Sequence, residues 1–314
     1  MLYKALHRNS LPVRRHTVKC EDGGEVAVDV YGPPRGKPEL PDEAPLMLIM
    51  HTITGTTQDE MELAAAAYAK GWRACLLVRR GHMGTLSHPK FNLMGCVDDS
   101  RRMIAKAQEV FPKASFIGAC GISAGSGQVV SYIGQQPAGG PVQAAVSLCP
   151  AYSIENAFAN FQQRSPLLAA FILASLKSFF LTPNEHVLRD SKGFQECLES
   201  TSVQNFMQAH AQLAGFPDFQ TYLANSNPMQ HYAGSRVPCL ILNALDDPLC
   251  VEENIRYDIA SETENYCLCL TDYGSHVTFR EGLLGQSSFM HRVALDFLEA
   301  ARRDFLHSSR GTSQ

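Results

Sequence analysis

Six short, continuously apolar runs alternate with stretches of helical periodicity, and no other feature constrains the fold of this chain as much. The runs are Leu46–Met50, Ala74–Val78, Ser115–Cys120, Val142–Cys149, Cys239–Asn243 and Tyr266–Thr271. A strand that is apolar at every position has both faces covered, which is the condition of a parallel sheet between helix layers. Between the runs, Ser100, Met103, Ile104, Ala107, Val110 and Phe111 fall at helical spacing, and Phe289, Met290, Val293, Ala294, Phe297 and Leu298 share one face of a closing helix. Upstream, His16–Cys20 and Glu25–Val30 flank Asp22-Gly23-Gly24 and predict a hairpin. Thr57 and Glu60 have capping-box spacing before a helix that Gly71 ends. The polar tail after Arg303 is expected to fray.

The alternation breaks between Ala151 and Val237, a stretch too long for an ordinary connection and mostly helical in pattern. The chain has 314 residues. The expected layout is one α/β sheet domain, 1–150 with 238–314, carrying a helical insertion, 151–237. The apolar stretch from Leu167 to Leu181 is broken by Lys177. It predicts a buried helix of the insertion rather than a membrane span, since no run of 18 apolar residues occurs.

A net charge of −4 leaves no broad basic field, which argues against a nucleic-acid partner. The ten cysteines form no CxxC pair and lie mostly in apolar runs, where a free thiol packs as a small hydrophobe. Such usage suits a reducing, intracellular setting. The basic stretch Met1–Arg15 has no apolar h-region, so no secretory signal is expected. His82 and His88, placed after Ala74–Val78, match no common zinc spacing. No metal and no cofactor are expected.

The chemistry is expected at Gly121-Ile122-Ser123-Ala124-Gly125. The G-x-S-x-G pattern recurs by chance, but here an apolar strand ends just before it and a helix begins just after it. That strand–turn–helix setting is what lifts a serine hydroxyl above a sheet edge. A serine needs a base, and the base a carboxylate to orient it. Downstream, Asp246 and Asp247 follow the strand Cys239–Asn243, and His276 lies in a turn after the last strand. Asp247, fixed by Pro248, is preferred over Asp246, which reads as a turn or capping carboxylate. His291, on the outer face of the last helix, reads as solvated. Backbone N–H groups of Ala124 and Ile53 are the expected oxyanion donors. His51, at the head of the loop containing Ile53, reads as a brace.

Taken together, these motifs resemble the AB-hydrolase 4 branch of the α/β-hydrolase superfamily, which includes bacterial YheT-like hydrolases, plant embryogenesis-associated proteins and animal ABHD-type lipid hydrolases. The resemblance runs from Thr17-Val-Lys-Cys-Glu-Asp-Gly-Gly through His51–Gly55, Arg80-Gly81 and Gly121–Gly125 to Leu240-Ile-Leu-Asn-Ala-Leu-Asp-Asp-Pro and Gly274-Ser-His. It implies the α/β-hydrolase fold, a mostly parallel sheet flanked by helices with a helical lid. It also implies a catalytic Ser123–Asp247–His276 triad and esterase or lipase activity on acylglycerols, phospholipids or simple esters. Many members carry an N-terminal hydrophobic anchor; this chain starts close to the catalytic domain, so a cytoplasmic or peripherally membrane-associated location is expected, with the lid as the contact. Thr52 stands where the family carries glycine, and Ala124 where it often carries leucine. Two other readings share these residues: a non-catalytic ligand-binding protein of the same fold, and acyl transfer to an alcohol.

Overall fold

The computed structural model describes residues 11–311, with side chains to residue 308. Most of the basic N-terminal stretch and the last three residues lie outside the described residues.

Eight strands form one sheet in the order β1-β2-β4-β3-β5-β6-β7-β8. The hairpin β1 (Val13–Lys19) and β2 (Glu25–Tyr31) is antiparallel, and β2 meets β4 (Arg73–Val78) antiparallel as well. From there β3 (Leu46–Met50), β5 (Ile117–Ile122), β6 (Ala144–Leu148), β7 (Cys239–Ala244) and β8 (Tyr266–Thr271) are parallel. The mostly parallel α/β-hydrolase architecture expected from the sequence is what forms.

The central strands β3 to β7 are buried almost throughout because each face has its own core, whereas β1 is largely exposed and β8, at the other edge, is only partly covered. Met47 and Ile49 of β3 point to one side and pack with α1 (Met61–Ala69) and the closing helix α11 (Phe289–Gly311). Leu46, Leu48 and Met50 point to the other and pack with α2 (Val97–Val110) and α3 (Ala124–Gln135). The period of two along a strand makes this division.

Four local expectations need correction. Thr57 forms no capping box: no side-chain cap bond opens α1. Its hydroxyl instead donates to Asp29, 2.5 Å away, beside the Arg15–Asp29 ion pair. The closing helix does not stop at Arg303 but runs to Gly311, and Phe305 packs edge-on against Phe116. His291 is buried, not solvated, because its turn packs back onto Ser288, whose hydroxyl accepts the His291 N–H.

The fourth concerns the segment between β6 and β7. It holds α4 (Ile154–Arg164), α5 (Pro166–Leu176), α6 (Glu185–Leu188), α7 (Phe194–Glu199), α8 (Val203–Leu213) and α9 (Phe219–Ser226), whose core is completed by Leu86, Phe91 and Leu93 from the loop after β4. From Pro166 the chain stays helical to Leu188, 23 residues that are long and apolar enough to cross a membrane by length and composition. Lys177 does not break it, since its ammonium reaches the carbonyls of Leu198 and Ser200. Nor is α5 a buried helix: Leu173 and Leu176 face inward, whereas Leu167 is 88% and Phe171 57% exposed.

Candidate active site

The parallel register brings separate parts of the chain to one edge of the sheet. Ile122 pairs with Leu148, Leu148 with Leu242, and Ala244 with Thr271. The residues that follow these strand ends are Ser123, Cys149, Asp246–Asp247 and Gly274–His276, and the carboxyl edge of such a sheet is where ligands collect.

Ser123 sits at φ 53°, ψ −114°, a conformation that L-residues adopt only under constraint. The constraint is tight packing around the turn. A Cβ at Gly121 would lie 2.1 Å from the Gly125 carbonyl oxygen, and one at Gly125 would lie 2.0 Å from that of Met50. The two glycines of the motif are therefore required by close approach of backbone on both sides of the serine. Seven non-glycine residues among those described have positive φ, and four of them, Ser123, Cys149, Ser275 and Val277, line the same cavity.

Ser123 Oγ lies 2.8 Å from His276 Nε2, and His276 Nδ1 lies 2.8 Å from Asp247 Oδ2. A carboxylate only accepts, so Nδ1 carries the proton and Nε2 is left to accept the serine hydroxyl. Asp247 Oδ1 accepts the N–H groups of Leu249 (2.8 Å) and Cys250 (2.9 Å). Burial pushes the Asp247 carboxyl up; the bond from His276 and these two N–H groups outweigh it and hold its pKa below the usual carboxylate value. Asp246 faces the other way, and its Oδ1 accepts the N–H groups of Gly274 (2.9 Å) and Ser275 (2.6 Å). The consecutive aspartates thus divide the work: one contacts the imidazole and the other ties down the turn that carries it.

The cavity above Ser123 measures about 370 Å³. Met94, Ile154, Phe158, Phe161, Leu168 and Ile172 supply its apolar wall, and Ile53 and Ala124 border it beside the serine. Thr52 keeps a negative φ, so the β-branched residue is accommodated where the family has glycine. His51 braces the loop as expected. His82 does not line the mouth of the site: its Nε2 contacts the Ile53 carbonyl at 2.9 Å from behind. Burial pushes both imidazoles down, His82 to about 3, so both are neutral.

Donor atoms of Cys149, Asp247 and His276 lie within 4.8 Å of one another, a grouping able to hold a metal ion. Burial first, and the Asp247 charge second, push the Cys149 thiol far up, and a protonated thiol is a poor ligand. Sequence reasoning passed over Arg79, which lies next to the singled-out Arg80 and is buried directly behind the 51–55 loop. A second arginine at the end of an apolar strand was the available signal. Arg80 itself bridges Asp99 (2.7 and 2.8 Å) and Asp22 (2.6 Å), tying the β1–β2 turn to α2.

A family model described as "Serine aminopeptidase, S33" matches residues 42–282. The chain belongs to this hydrolase family. It is 24% identical to bovine Phospholipase ABHD3 over 297 residues, which is 91% of this chain and 71% of that protein. It is 24% identical to mouse Monoacylglycerol lipase ABHD2 over 237 residues, 69% of this chain and 55% of that one. Among solved structures, the esterase Pf2001 of Pyrococcus furiosus superposes with a TM-score of 0.60 at 13% identity, covering 92% of this chain and 93% of its own. At that identity the superposition speaks to the fold alone.

Proposed function

We propose that this protein is a serine hydrolase that cleaves carboxylic esters of lipid-like acyl substrates. One observation carries the reading: the hydrogen-bonded row Ser123–His276–Asp247 opens onto an apolar cavity. In the proposed reaction the Ser123 oxygen bonds to the ester carbon while its proton passes to His276 Nε2. Asp247 holds the tautomer and stabilises the imidazolium. The carbonyl oxygen takes the negative charge and is met by the N–H groups of Ala124 and Ile53. The C–O bond to the alcohol then breaks, with His276 returning its proton to the leaving oxygen. Water repeats the sequence on the acyl-enzyme.

The apolar wall favours an acyl chain over a charged or peptide-like group. Relatives named as a phospholipase and a monoacylglycerol lipase favour the same class. In this reading 151–237 is a lid on a core formed by 1–150 and 238–314. Leu168 lines the cavity, and Leu167 and Phe171 on the same helix are exposed. A lipid surface is the partner such a helix fits, with the substrate entering from it.

A fluorophosphonate probe tests the nucleophile: the wild type should be labelled and Ser123→Ala should not. Equal labelling of both would reject the assignment and leave a binding protein of the same fold. A series of p-nitrophenyl esters tests the acyl pocket; a strict preference for the two-carbon ester would reject the lipid-like substrate.

A further inference from the structure

Arg79 is 2% exposed, yet its hydrogen bonds all go to neutral acceptors. Nη1 donates to the carbonyl of His51 (2.8 Å) and to Gln128 Oε1 (3.2 Å), and Nη2 donates to the carbonyl of Thr52 (2.6 Å). Burying a guanidinium without a bonded carboxylate costs several kcal/mol, roughly, before its hydrogen bonds are counted. Burial pushes its pKa down from the usual range, but it remains a cation at neutral pH. A group this costly in the interior calls for a use.

The His51 ring lies in the same network. Its Nε2 accepts the backbone N–H of Arg79 at 3.3 Å, so Nδ1 carries the proton and donates to the Thr52 carbonyl at 2.8 Å. Arg79 Nη2, 3.1 Å from Nδ1, shares that acceptor. The Thr52 carbonyl therefore takes three donors: the Gly55 N–H at 3.1 Å, which closes the turn, the His51 ring and the charged Arg79 fork. No peptide among the described residues is cis, and in a trans peptide the N–H points opposite to the C=O. With the Thr52 oxygen held on Arg79, the Ile53 N–H is turned to the other side of the loop, whose residues border the cavity beside Ser123. Withdrawal of charge through the carbonyl also strengthens the N–H across the same peptide as a donor.

We propose that Arg79 is a positioning residue: with His51, it orients and polarises the Thr52–Ile53 peptide so that its N–H meets the oxyanion. This rests on the Ser123 reading above and adds to it a device outside the hydrogen-bonded row. It also accounts for how Thr52 is tolerated, since the loop direction is set by the arginine fork rather than by glycine freedom.

The test uses Arg79→Lys, which keeps the charge and loses the two-armed fork, and Arg79→Gln. Active sites are counted by end-point fluorophosphonate titration, so that misfolded protein drops out. Per titrated site, kcat should fall about 10- to 100-fold, less than for outright removal of a donor, with KM within about twofold. A trifluoromethyl ketone should lose affinity by the same factor, because Ser123 adds to its carbonyl carbon, the serine proton moves to His276 and the oxygen becomes the anion. A non-hydrolysable ether analogue of the substrate should bind unchanged. If neither Arg79 variant folds, His51→Phe keeps an aromatic ring but loses the donor to the Thr52 carbonyl and the acceptor of the Arg79 N–H, and should show the same pattern at about 3- to 10-fold. Wild-type kcat per site and unchanged ketone affinity, in the Arg79 variants or in His51→Phe, would overturn the proposal. Failure of the wild type to label would instead overturn the nucleophile assignment.

Discussion

The carboxyl edge of the sheet and the helical insertion above it are built on opposite principles. At the edge, polar side chains are held by backbone. Ser123 is forced into its φ by two glycines under close approach. Asp247 is gripped by two N–H groups, and the His276 turn is pinned by Asp246. In the insertion, apolar side chains are held by packing on one another and on the loop after β4: Phe180 meets Phe179 edge-on, stacks on Phe91 of that loop and meets its His82 edge-on, with no directional polar bond between the rings. An arrangement fixed by hydrogen bonds fails when one atom changes, whereas one fixed by packing loses in proportion to the volume removed. The edge should therefore respond to substitution in steps and the insertion by degrees.

The largest effect should break the edge without unfolding it. Ser123→Ala is expected to lose about 10³-fold or more in turnover, and Ser123→Gly at least as much. The glycine variant should also melt higher, because its φ of 53° ceases to be strained; the relief is about 1 kcal/mol. A lower melting temperature for glycine than for alanine would show that the elbow stores no strain. Next, Asp247→Asn should lose about 10²- to 10³-fold through the wrong imidazole tautomer. Asp246→Asn, which leaves the imidazole contact intact, should lose only about tenfold; kinetics placing the two in the opposite order would reverse their assigned roles.

Substitutions in the insertion should be graded. Phe158→Ala and Ile172→Ala are expected to raise KM for long-chain esters by about 3- to 10-fold, the equivalent of roughly 1 kcal/mol of lost burial, with short esters unaffected. An all-or-none loss on every ester would mean that these side chains position the chemistry. Leu167→Glu and Phe171→Glu should leave a water-soluble ester untouched and reduce both co-sedimentation with vesicles and activity on substrate held in them. The smallest effect concerns acid. Burial raises the Asp22 carboxyl, but the Arg80 bond and the Gly24 N–H outweigh it and hold its pKa at about 2. A depressed folded pKa means that stabilisation is complete above the unfolded value of about 4 and is lost as pH falls toward 2. Asp22→Asn should lower the melting temperature at pH 7, where the lost stabilisation is complete, and flatten the acid limb, so that variant and wild type converge as pH falls toward 2.

The fold was legible in the sequence because both faces of a parallel strand must be apolar. Leu46–Met50 and Tyr266–Thr271 announce themselves by composition, and their observed limits are those expected. The serine turn was legible because close approach admits only glycine at 121 and 125. The insertion was read as helical, but the exposure of α5 was not foreseen: an apolar helix has the same sequence whether its faces pack on a core or meet the outside. Arg79 was missed for a related reason. Nothing in Val-Arg-Arg-Gly distinguishes an arginine that bridges carboxylates from one that holds carbonyls.

What the sequence determines by itself is local: which runs pair into a sheet, where the chain turns, and which residue types could exchange a proton. Its tripeptide Leu-Asp-Asp offers two carboxylates one residue apart, and only the assembled sheet decides that Asp247 meets the imidazole while Asp246 meets the turn. The reason is physical. Strand register fixes where each chain segment leaves the sheet, and the turn after β7, closed by the Asp247 N–H on the Ala244 carbonyl, sends the two neighbouring side chains to different partners. Contacts between residues more than a hundred positions apart, such as Ser123 with His276, are set by that register and by packing.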